Sequence, residues 1–158
     1  MQYVGAAKCG KCHKTAKQGK QLKIWEGSEH AKAFETLKSP EAAKIAKEKG
    51  LSKPAHEAPE CLKCHVSGYK EDASMKAASF DMAQGVQCET CHGAGSLYKK
   101  KKIMKDRAAS IAQGMADISV EGGSAEKQCV TCHNDESPTF KSFNFAEMWE
   151  KIAHPVPE

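Results

Sequence analysis

Short amphipathic stretches separated by polar loops run along the 158-residue chain. Ala31, Ala33, Phe34 and Leu37 form a brief apolar face. Ser39-Pro40-Glu41 then reads as a helix start, with Ser as N-cap and Pro in the first helical position. The Ala- and Lys-rich stretch 41–49 continues that helix, and Gly50 stops it as a C′ residue. Pro54 and Pro59 mark a loop. Between His65 and Cys88, Gly68 and Gly85 predict mostly loop; 103–115 predicts one helix, and Glu121-Gly122-Gly123-Ser124 a turn. Phe145, Met148, Trp149 and Ile152 fall at i, i+3, i+4 and i+7, and Asn144 with Glu147 can cap that helix. No strand signal stands out, and no apolar run approaches the roughly 18 residues of a membrane-crossing helix.

The apolar pattern alone makes a lean core: 40% of residues are hydrophobic and only 6% aromatic. The cysteines supply what is missing. All eight lie in four copies of one motif, Cys-x-x-Cys-His: Cys9-Gly-Lys-Cys12-His13, Cys61-Leu-Lys-Cys64-His65, Cys88-Glu-Thr-Cys91-His92 and Cys129-Val-Thr-Cys132-His133. Cysteines at this spacing can hold half a zinc site, act as a dithiol couple, or receive the vinyl groups of a haem with the next His as axial ligand. Zinc and dithiol chemistry do not need a His after each pair. With His at roughly 2% of residues in an average chain, four coincidences have a chance near ~10⁻⁷. The reading is four covalent haem c groups, with His13, His65, His92 and His133 as proximal iron ligands. The expected fold is mainly α, one tetrahaem domain over 1–158, with short helices and long loops wrapped around four closely packed haems.

Thioether attachment takes place outside the cytoplasm, so a periplasmic or extracellular address is expected. Met1-Gln2-Tyr3-Val4-Gly5 leads straight into the first motif, so a secretory leader is expected to be absent from this chain. The 24 Lys and Arg against 20 Asp and Glu give a formal +4. Each ferric haem with two ionised propionates contributes roughly −1. The loaded protein is then near neutral when oxidised, so the basic balance does not point to nucleic acid. Lys99 to Lys102 is the one dense charge run, and reads as a solvated loop or as a docking patch for an acidic redox partner.

With the four motifs, the segments Trp25-Glu-Gly-Ser28-Glu-His30-Ala31-Lys-Ala33-Phe34, Gly85-Val86-Gln87-Cys88 through Cys91-His92-Gly93-Ala94-Gly95, and Phe143-Asn-Phe145-Ala-Glu-Met148 resemble the tetrahaem cytochrome c-554 family. Ala94 stands where the family usually has Pro. The resemblance implies a periplasmic electron carrier with three haems ligated by two His and one with an open sixth position.

Seven His less four proximal ones leave His30, His56 and His154 for four distal positions. By resemblance, His30 binds the third haem opposite His92, and His154 the first opposite His13. The family's remaining distal His falls where this chain has Lys102, and a Lys amine must be deprotonated to bind iron, at about 4–5 kcal/mol at neutral pH. Met104 is an easier thioether ligand. The favoured arrangement puts His56 on the fourth haem opposite His133 and leaves the second, at His65, open. The competing one puts His56 on the second haem, with the fourth open or bound by Met104. Pro138, Thr139 and Phe140 are candidate lining for an open site.

Two functions follow as expectations. One is an electron carrier between redox partner proteins. The other is a small haem enzyme reducing nitric oxide or a similar nitrogen species at the open haem, which needs a proton donor that Ser137 and Thr139, carrying only hydroxyls, do not supply.

Overall fold

The computed structural model describes residues 1–154. Ten short α-helices follow one another among them: α1 (Ala6–His13), α2 (Gln21–Glu26), α3 (Glu29–Thr36), α4 (Pro40–Glu48), α5 (Pro59–His65), α6 (Cys88–His92), α7 (Lys101–Met104), α8 (Arg107–Ala112), α9 (Ser124–Cys129) and α10 (Phe145–Ile152). Beyond them lie 3₁₀ turns, loops and one isolated β-bridge, Tyr3 with Lys76. The mainly helical architecture with long loops is the expected one.

Local chemistry accounts for the boundaries. Ser39 Oγ accepts the Ala42 N–H at 3.1 Å and Pro40 opens α4. Asn144 Oδ1 accepts the Glu147 N–H at 3.4 Å at the start of α10. The helix expected over 103–115 is instead two helices. Asp106 breaks it: its backbone is extended (φ −122°, ψ 111°) and its carboxylate accepts the Ala109 N–H at 3.0 Å, capping a new start for α8.

One small aliphatic cluster lies where α3, α4 and α5 meet. Leu37, Ala46, Ala55, Leu62 and Val66 are buried there, with Phe34, Leu51 and Tyr69 against them. A second anchor is polar. Glu89, 1% exposed, accepts Val4 N–H at 2.8 Å, Gly5 N–H at 2.7 Å and Gly95 N–H at 2.6 Å. Gln87 Oε1 accepts Ala6 N–H at 2.8 Å. Gly5 is the N-cap of α1 and offers no side chain, so α6 and the residue before it supply the cap from 81–85 residues away. The helix of the first motif is thereby fastened to that of the third.

Candidate haem-binding site

Each motif sits on a helix or at its end. The first three are carried by α1, α5 and α6. The fourth begins at the last residue of α9 and continues the helical pattern, with His133 N–H bonded to Cys129 O at 3.0 Å. This local geometry puts two sulfurs and the following imidazole on one turn of backbone.

The motifs also touch one another. The Cys9 and Cys88 thiols share a hydrogen bond, which raises the pKa of Cys9 and lowers that of Cys88. Burial, then Cys132, raises Cys64 to about 11. Lys63 beside Cys64 pairs with Glu136 beyond the fourth motif. Burial raises Cys91 to about 11, with Cys129, Cys88 and Cys132 adding to it. The attachment points therefore form one series in space: first, third, fourth, second. All eight cysteines are free of disulfides.

The imidazoles are prepared as ligands. His65 Nδ1 lies 2.7 Å from the Ala33 carbonyl oxygen in α3. A carbonyl only accepts, so the ring proton belongs on Nδ1 and Nε2 keeps its lone pair for a metal. Burial, then His154, His13 and Arg107, lowers His92 to about 4. Burial followed by His133 lowers His30, and burial lowers His133. These rings are neutral at neutral pH, as metal ligation requires.

Two pairs of imidazoles lie close together, their planes tilted by 58° and 41°. The His30 and His133 centres are 6.0 Å apart, and those of His92 and His154 5.8 Å. Metal–imidazole bonds of about 2.0–2.1 Å on either side of one ion separate the ring centres by roughly 6 Å. The pairs differ from the expected ones, which set His30 opposite His92, His154 opposite His13 and His56 opposite His133. His30 is held where it is by backbone: its carbonyl accepts Val86 N–H at 3.0 Å, and Trp25 Nε1 donates to Val86 O at 2.7 Å. Gly85 (φ 73°) permits this approach, since a Cβ there would lie 2.7 Å from His30 O.

The remaining candidates are dispersed. His56 lines a cavity of about 530 Å³ with Phe34, Leu62, Val66, Phe80 and Met82, and its Nε2 is 3.7 Å from Glu57 Oε1. Lys102 is exposed on α7. Met104 is half-buried, with its sulfur 3.9 Å from the Ser110 hydroxyl. Pro138, Thr139 and Phe140 are exposed in a turn after the fourth motif. Glu89 and the Ala33 carbonyl were not foreseen; an acid inside a motif where the others carry Gly, Lys, Leu, Val or Thr was the available signal for Glu89.

Zinc fits poorly: among the described residues no three His, Cys, Asp or Glu side chains converge on one point. Haem c fits: each motif offers two free sulfurs and an adjacent imidazole. Residues 8–93 match the family model described as cytochrome c554 and c-prime. The chain belongs to the cytochrome c-554 family. It is 31% identical over 140 residues to cytochrome c-554 of Nitrosomonas europaea, covering 83% of this chain and 57% of that protein. The match thus spans a little over half the length of the curated relative. The solved reduced state of cytochrome c554 from the same organism superposes with a TM-score of 0.65, at 24% identity, over 96% of this chain and 83% of that one. As members of the cytochrome c-554 family are tetrahaem c-type cytochromes, the cofactors are four haem c groups.

Proposed function

We propose that residues 1–158 act as one periplasmic or extracellular tetrahaem unit that carries electrons between redox partner proteins. The single observation that supports this most is the adjacency of the attachment helices, with Glu89 of α6 bonded to Val4 and Gly5 at the start of α1 and Lys63 of α5 paired with Glu136 beyond the fourth motif. Each haem supplies one ferric–ferrous couple, so a contiguous set of four offers storage and a through-route for up to four electrons. The chain's own part is to hold and orient: eight cysteines anchor, His13, His65, His92 and His133 ligate, and the Ala33 carbonyl fixes the His65 tautomer.

For the distal side we propose His30 with His133 on the fourth haem and His154 with His92 on the third, in place of the pairing implied by resemblance. His56, which shares a cavity with Leu62 of α5 and with Val66 just after it, goes with the second haem. Seven histidines cannot complete four pairs, so the first haem, at His13, is left without a second imidazole. That shortfall favours a second reading, small-ligand binding at this haem by nitric oxide or cyanide.

Stopped-flow mixing separates carrier from enzyme. A carrier takes up four electrons from dithionite and returns them to a protein acceptor, with no steady-state consumption of nitric oxide. Sustained turnover of nitric oxide by the reduced protein would overturn the carrier reading.

A further inference from the structure

Lysine recurs at every third position from residue 8 to residue 23: Lys8, Lys11, Lys14, Lys17, Lys20 and Lys23. No acidic residue precedes Glu26. Of the 24 basic side chains six lie here, leaving 18 against 20 acids for the rest of the chain, so the whole positive balance is concentrated in the first segment. All six lysines are exposed. The ion pairs among the described residues join Lys32 with Glu29, Lys38 with Glu35, Lys44 with Glu48, His56 with Glu57, Lys63 with Glu136 and Arg107 with Asp117, and none involves these six.

The fold gathers them. α1 and α2 pack through Gly10, where a Cβ would stand 2.5 Å from a Leu22 methyl, so the two helices lie close together. Lys8, Lys11 and Lys14 belong to α1 and its cap, Lys20 and Lys23 to α2 and its cap, and Lys17 to the turn between. A groove of about 440 Å³ lined by Lys20, Lys23 and Lys151 extends the same surface. Cys12 follows Lys11 directly in α1, so the first attachment site belongs to the same segment as the lysines. That site also stands at one end of the series. One ferric haem offsets only about one of the six charges.

We propose that this lysine face is the docking surface for an acidic one-electron redox protein, which exchanges electrons with the chain at the first haem. The inference rests on the carrier reading above. In the reducing direction the partner's reduced centre loses one electron, the first ferric iron gains it, and no proton or bond changes hands. A concentrated single-sign patch raises the encounter rate with an oppositely charged partner and makes it fall with salt.

The test uses flavodoxin hydroquinone, an acidic flavoprotein donor, against the haem-loaded protein in stopped flow. The unmutated protein is reduced at a rate that falls as salt is raised. The triple variant Lys8→Glu, Lys17→Glu, Lys23→Glu loses roughly tenfold of that rate at low salt and most of the salt dependence. The corresponding triple Gln variant loses less, and a quadruple Gln variant of Lys99 to Lys102 keeps the unmutated rate. Dithionite still delivers four electrons to every variant, which keeps the carrier reading separate from the docking one. An unchanged rate and salt slope in the triple Glu variant overturns the proposal. So does transfer of the loss to the Lys99–Lys102 variant. Failure of the unmutated protein to take four electrons from dithionite overturns the carrier reading and the docking proposal with it.

Discussion

The imidazoles of His92 and His154 lie side by side with ring centres 5.8 Å apart, although 62 residues separate them in the chain. α10 makes this approach achievable: it begins at an Asn144 cap and ends two residues before His154. His154→Ala is expected to keep all four haems covalently attached, because it removes no cysteine. It is expected to convert one low-spin iron to high-spin and to add one equivalent of cyanide binding. A titration with cyanide followed by EPR reads both; an unchanged spin count would remove His154 from the ligand set.

Asn144→Ala offers a graded version of the same test. Loss of an N-cap costs about 1 kcal/mol of helix stability. The expected result is fraying of α10 and faster cyanide entry at the third haem, with the spin state of the resting protein retained. Stopped-flow cyanide binding measures the rate.

Glu89 concentrates stability in one carboxylate. Glu89→Ala would leave the Val4, Gly5 and Gly95 N–H groups buried without acceptors. Each orphaned donor costs about 1–3 kcal/mol, and a variant that lets water in recovers part of that. The expected loss is a few kcal/mol in denaturant unfolding of the loaded protein, with Glu89→Gln milder because its oxygen still accepts. Equal stability of Glu89→Ala and the unmutated protein would show that the N-terminal segment is held by other contacts.

Cofactor and fold are expected to fail together. The aliphatic cluster contains only Leu37, Leu62 and Val66 as large buried side chains, and Cys61 packs against it. Replacing Cys61 and Cys64 together with Ala should lower helix content in circular dichroism as well as remove one haem. A compact, fully helical protein with three haems would contradict this.

Gly85→Ala tests how His30 is placed. Its positive φ and the 2.7 Å approach to the His30 carbonyl leave no room for a methyl. Displacement of α3 should perturb two haems at once, since α3 carries both His30 and the Ala33 carbonyl that bonds His65. Potentiometric titration should show two shifted couples; a shift in none would mean the loop yields instead.

How much of this was legible beforehand varies with the distance over which each feature is determined. The four motifs, the Ser39-Pro40 start and the Asn144 cap are local signals, and each was readable within a few residues. Asp106 was a local signal too, but it was overridden by the apolar pattern of 103–115, and one helix was expected where a cap makes two. The pairing of distal histidines was not legible, because it depends on where loops of different lengths bring α3 and α10. Glu89 is a similar case: its acid was visible inside the third motif, but its partners Val4 and Gly5 lie 85 and 84 residues upstream. The lysine period in 8–23 is plain in the sequence and gains meaning only once all six are known to be exposed on adjoining helices.

The most direct test of the ligand arrangement is a crystal structure of the haem-loaded protein with the irons located by anomalous scattering. The predicted result is one iron between His30 and His133, one between His92 and His154, and an iron at His13 with no second imidazole. An iron between His30 and His92, or between His154 and His13, would contradict the arrangement proposed here.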